Sequence, residues 1–144
     1  MAIFIPGMEC HVCGNEIESG EEAVLFPSFI ANSLDPLIVF NDSVMHSECF
    51  SNHPDNKKVT NLLKQRECKF SPKNRICDLC HNEITDPDDY EAHPCLSSRD
   101  DDLSGYNFKM YHKKCLTNSI TERNIKEMVN ILELEGMWAS KQKF

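Results

Sequence analysis

Lysine and arginine are missing from residues 1–54, where eight acids (Glu9, Glu16, Glu18, Glu21, Glu22, Asp35, Asp42 and Glu48) stand unopposed. Such a surface repels phosphate, so this stretch is no place for nucleic-acid contacts. Long apolar runs are missing too, and nothing approaches the ~20 residues that a membrane-spanning helix requires. The start, Met-Ala-Ile-Phe-Ile-Pro-Gly-Met-Glu, has no basic segment ahead of an apolar one, which argues against a secretory leader. The five glycines never cluster, so no phosphate-cradling loop is present, and no Ser-His-Asp set is evident. These absences point to a cytoplasmic chain with reduced thiols.

Cysteine, by contrast, is plentiful. Cys10, Cys13, His46 and Cys49 spell Cys-x-x-Cys, a long gap and His-x-x-Cys, and Cys77, Cys80, His112 and Cys115 spell it again. Two close pairs of soft donors are what a tetrahedral zinc ion requires. A disulfide framework would leave the paired histidines without a role. The expected cofactor is therefore zinc, two ions per chain, each in a Cys3His site.

The duplication extends past the ligands. Shifting by 67 places Asn15, Glu16 and Ile17 on Asn82, Glu83 and Ile84, and Pro27 on Pro94. After one deletion the shift is 66, and Leu37 falls on Leu103, Asn41 on Asn107 and Val44 on Met110. A duplicated structural unit accounts for this. Units this small bury little apolar surface, and a metal is a common remedy. The chain divides into a first zinc module (1–54), a basic helical linker (55–76), a second zinc module (77–118), and a C-terminal helix with its tail (119–144).

Charge follows the same divisions. The linker carries Lys57, Lys58, Lys64, Arg66, Lys69, Lys73 and Arg75, whereas the second module is acidic again, with the run Asp100-Asp101-Asp102. The formal charge is −8. Three thiolates and one Zn²⁺ leave a further negative charge at each site, so two loaded sites make the chain about −10.

Each module is expected to be small and α+β: a Cys-x-x-Cys knuckle, a β-hairpin, and a helix bearing the last two ligands. Ala23–Phe26 and Leu37–Phe40 read as the strands of the first hairpin. The alternation of Tyr106, Phe108 and Met110 with polar neighbours suggests a half-buried strand in the second. The spacing of three in His46/Cys49 and His112/Cys115 suits the first turn of a helix. A basic amphipathic helix is expected over about 55–67, and an amphipathic C-terminal helix starts at the Ser119–Glu122 capping box and stops at Gly136. Trp138 is expected to pack back on the core. Cys68 and Cys95 read as small buried residues, and His11, His53 and His81 as non-ligands.

The Cys-x-x-Cys…His-x-x-Cys pattern resembles treble-clef zinc fingers, and most closely the first zinc site of LIM domains, over roughly residues 10–50 and 77–116. That resemblance implies structural zinc and protein binding. A catalytic zinc keeps an open position beside three protein ligands, whereas each repeat here supplies four. The expected function is a non-catalytic, acidic protein-interaction module that binds a basic partner, as toxin-neutralising immunity proteins or adaptors do. Glu21, Glu22, Asp100, Asp101 and Asp102 are the candidate contacts. The alternative is a nucleic-acid-binding zinc-finger regulator that uses Lys57, Lys58, Lys64 and Arg66.

Overall fold

The computed structural model describes residues 4–140. It is a small α+β structure with four short strands in two hairpins and four helices. β1 (Ala23–Leu25) pairs antiparallel with β2 (Val44–His46), with Ala23 opposite His46 and Leu25 opposite Val44. α1 (Ser47–Ser51) follows at once, and α2 (Asn56–Phe70) occupies the linker. β3 (Glu91–Ala92) pairs with β4 (Met110–Tyr111) in the second half, which continues into α3 (Lys113–Leu116) and α4 (Ile120–Leu134).

The two halves repeat each other bond by bond. The Asn41 side chain accepts the N–H groups of Phe29 and Ile30 through Oδ1 and donates to the Ile30 carbonyl. Asn107 does the same for Leu96 and Ser97. Each asparagine thus staples a long loop back on itself, satisfying backbone groups that would otherwise be lost on burial.

Two expected strands are something else. Leu37–Phe40 forms a 3-10 turn over Ile38–Phe40. Asp35 Oδ1 accepts the Leu37 N–H, and Leu37 and Phe40 are both buried while Val39 is exposed. That spacing of three is a turn's, not a pleated strand's. The second half departs in the same way, with a 3-10 helix at Asp102–Tyr106 capped by Asp101. Phe108 then lies in the left-handed region at φ 56°, and only Met110–Tyr111 is extended. Local side-chain capping has overridden the apolar alternation.

The halves interlock. Cys95 and Phe108 of the second half are buried in the first core, with Phe26, Phe29, Leu37, Phe40, Val59 and Leu62. The Cys95 N–H donates to the Phe29 carbonyl at 2.8 Å, and the Ala31 N–H donates to the Cys95 carbonyl at 2.9 Å. Buried Asp35 accepts from the Ser98 N–H at 2.9 Å and from its hydroxyl. A second core gathers Cys77, Ile84, Met110, Tyr111 and Leu116, and Phe70 at the end of α2 touches both.

α4 begins as its sequence predicts. Ser119 Oγ accepts from the Glu122 N–H, and the Glu122 carboxylate accepts from the Asn118 N–H. It ends at Gly136, at φ 70°, with the Met137 N–H on the Leu132 carbonyl and the Gly136 N–H on Glu133, a Schellman closure. Beyond it, buried Trp138 joins Leu96 and Leu103 under Ile125, Met128, Val129 and Leu132. The segment after the helix is tied to the first half, since the Ser33 N–H and hydroxyl both donate to the Ala139 carbonyl.

Candidate metal centres

The structure brings together all eight predicted donors as two quartets, Cys10-Cys13-His46-Cys49 and Cys77-Cys80-His112-Cys115. Within each, the donor atoms lie within 4.8 Å of one another. Their assembly follows from local backbone. In the first knuckle the Gly14 N–H donates to the Cys10 carbonyl, and Gly14 takes φ 74° to turn the chain. His81 does the same at φ 60°, a conformation a side chain resists. The residue after the first cysteine then clamps the hairpin. His11 Nδ1 lies 3.1 Å from the Val44 carbonyl, and Asp78 accepts from the Met110 N–H at 2.9 Å. Asp78 also holds Lys109 at 3.0 Å and Lys69 at 3.6 Å.

The histidines sit one position earlier than a helical placement would have them. His46 ends β2 and precedes the first residue of α1, with Cys49 inside that helix; His112 and Cys115 are arranged alike around α3.

The donors fit zinc. Nδ1 of His46 lies 3.4 Å from Cys13 Sγ and 3.7 Å from Cys49 Sγ, and His112 Nδ1 lies 3.4 Å from Cys80 Sγ and 3.9 Å from Cys115 Sγ. A tetrahedron with Zn–S ~2.3 Å and Zn–N ~2.05 Å has S···N edges of about 3.5 Å. Each quartet can therefore hold one zinc ion, two per chain, with all four positions filled by protein.

The electrostatics agree. Burial pushes the Cys10 thiol up, but the N–H groups of Cys13, Val12 and His46 directed at it prevail and bring it to about 6. Cys77 is likewise brought to about 6 by the N–H groups of Cys80, His112 and Leu79. Desolvation and the neighbouring sulfurs push Cys49 and Cys115 the other way, to about 11. Four donors this crowded cannot all ionise by themselves, and a dication removes the repulsion.

The two centres differ behind the histidine. Glu21 Oε2 lies 3.3 Å from His46 Nε2 and also accepts the Glu18 N–H at 2.8 Å. This carboxylate fixes the ring so that Nδ1 offers its lone pair inward. Among the described residues no carboxylate pairs with Nε2 of His112, although the residue as a whole is buried. Glu21→Gln is therefore expected to weaken zinc binding at the first centre by roughly 10–100-fold and leave the second unchanged. Competition with a chromophoric chelator, with each centre followed by cadmium-113 NMR, checks this; equal weakening at both would refute it.

The remaining cysteines and histidines lie outside the quartets. Cys95 is buried, and burial, then nearby Asp35, pushes its thiol up to about 12, so it stays protonated. Cys68 is exposed on α2, contrary to expectation, because that helix buries Val59 and Leu62 on another face. His53 packs edge-on against Phe40 at 5.0 Å. Glu21 and Asp101 were expected as partner contacts; both have internal duties, Asp101 accepting from the Ser97 hydroxyl and the Ser104 N–H. Nothing in the residue pattern signals the Glu21–His46 contact, and the Asn41/Asn107 correspondence marks the duplication without revealing the loop staples. No family model, curated protein or solved structure matches this chain.

Proposed function

We propose that this chain is a non-catalytic protein-binding module of two treble-clef-like zinc units, working in the cytoplasm by docking a basic protein partner. The observation that carries the reading is that each quartet fills a tetrahedron with protein donors, leaving no open position for water or substrate. Zinc then acts as a structural staple, and the surface does the work. That surface is acidic, and complementary potentials speed encounter with a basic partner and fix its register. A toxin-neutralising or adaptor role suits it.

The basic linker offers little to nucleic acid. Arg66 lies over the Phe70 ring at 5.5 Å and Lys69 pairs with Asp78, so both serve the fold. Lys57, Lys58 and Lys64 remain as a solvated face of α2, and Lys73 and Arg75 are exposed just beyond its end.

Glu22, Asp100 and Asp102 are exposed contacts free of internal duties, so they make the test. Reversing all three to Lys is expected to weaken a partner captured by the wild-type chain by at least tenfold, with zinc content intact, and to flatten the salt dependence of its on-rate. Submicromolar DNA or RNA binding at physiological salt, lost when Lys57, Lys58, Lys64 and Arg66 become Glu, overturns the proposal in favour of a nucleic-acid regulator.

A further inference from the structure

We propose that the groove between α4 and the second zinc unit is the seat for the partner, and that its occupant is a basic amphipathic segment, apolar on one face and lysine- or arginine-rich at its edges. This rests on the protein-binding reading above and names the place where it happens.

The groove has a volume of about 680 Å³, within the range of formed binding clefts. It exists because α4 is incompletely seated. Ile125, Met128, Val129 and Leu132 cover Leu96, Leu103 and Trp138, yet no residue of the helix is fully buried. Leu96, Leu116, Ile125 and Val129 therefore line an apolar channel.

Its rim has one sign. Glu91, Glu127 and Glu133 border the channel, and among the described residues none of them enters an ion pair. The one lysine there, Lys126, is held by Glu122 at 2.9 Å and so adds no free positive charge. An apolar floor between unpaired carboxylates complements an amphipathic segment with cationic edges, and it opposes an acidic or nucleic-acid ligand.

The wall also carries a buried histidine. His93 lines the groove, is 6% exposed, and has an Nδ1 with no hydrogen-bond partner. Its ring is held edge-on by Tyr111 at 5.2 Å. Burial keeps it neutral by depressing its basicity. A buried ring nitrogen without a partner is unusual in a finished core. That nitrogen is itself buried in the wall, so an occupant reaches it only by displacing part of the wall, and the ring serves as a reporter of the groove.

The probe is a helical peptide of leucine and lysine, apolar on one face and about as long as α4, titrated into the zinc-loaded chain. The controls are an all-lysine peptide and a second chain with Glu91, Glu127 and Glu133 changed to Gln, all exposed positions. Binding is expected to move the His93 ring and Trp138 signals in NMR and to weaken at least tenfold in the triple variant. The all-lysine peptide should bind more weakly still, lacking an apolar face. If the amphipathic peptide binds the triple variant as well as the wild type and is lost only when Glu22, Asp100 and Asp102 are reversed, the groove assignment fails and the acidic-partner reading stands. If neither peptide binds the wild type, both fail. Self-association of the wild type that disappears in the triple variant would overturn the proposal in favour of a second copy of the chain as occupant.

Discussion

Stripping both zinc ions with excess chelator under reducing conditions is expected to unfold the chain. Structural zinc in finger peptides supplies roughly 10–16 kcal/mol of apparent binding energy, which becomes folding energy when no preformed site exists without the metal. A small domain has only about 5–15 kcal/mol of net stability to set against that loss. The hairpins here are too short to hold themselves: three residues per strand in the first and two in the second. Each is closed by the metal quartet, since the Cys10 and Cys77 sulfurs accept the N–H groups of His46 and His112 at 3.4 Å. The chain's single tryptophan reports the event. Trp138 is 4% exposed in the cluster under α4, so its emission shifts to the red as water reaches it. Two equivalents of zinc are expected to restore it. Acid acts in the same direction, because protons compete with zinc for six thiolates. Native emission persisting in metal-free protein would show that the metals are incidental to the fold.

The eight donors were legible because metal coordination imposes fixed residue types at close spacing, and the duplication repeats the evidence. The C-terminal helix was legible because its signals are local: Ser119 and Glu122 open it and Gly136 closes it. The two misread strands show where local reading fails. Leu37–Phe40 and Tyr106–Tyr111 are apolar enough to pass for strands, but Asp35, Asn41, Asp101 and Asn107 take the backbone N–H groups of their loops and hold them in turns. Such capping depends on which carboxylate or amide reaches which N–H, and composition does not reveal that.

The interlock of the halves was illegible for a different reason. An apolar residue in one repeat reads as part of that repeat's own core. Phe108 matches an acid, Asp42, at the equivalent place in the first repeat, and both take positive φ. Nothing in that mismatch says that the phenyl ring enters the other unit. The same holds for Cys95, opposite Ser28 in the alignment, which reads as a spare thiol and is in fact a buried joint between the halves.

Phe108→Ala is accordingly expected to destabilise both zinc units at once. Phe108 is 1% exposed, belongs by sequence to the second repeat, and lies among the first repeat's core residues. Its ring meets Phe70 edge-on at 6.0 Å, and Phe70 also borders the second core. Truncating a buried phenylalanine costs about 3–5 kcal/mol in lost transfer energy and residual cavity. The loss falls on contacts shared by the halves, so the thermal transition is expected to stay single and move down as a whole. Phe108→Leu, which keeps most of the volume, should recover much of the difference. Cadmium-113 NMR during denaturant unfolding follows each centre separately, and the two signals are expected to disappear together in wild type and variant alike. If the modules were independent, Phe108→Ala would loosen the second centre and leave the first centre's midpoint where it was. That result would replace the interlocked fold with two beads on a helical linker. Cys95→Ser is a smaller test of the same joint: a hydroxyl brought into that apolar contact costs about 1–3 kcal/mol, less than the loss of a zinc ligand in Cys80→Ser, and it too should move both centres.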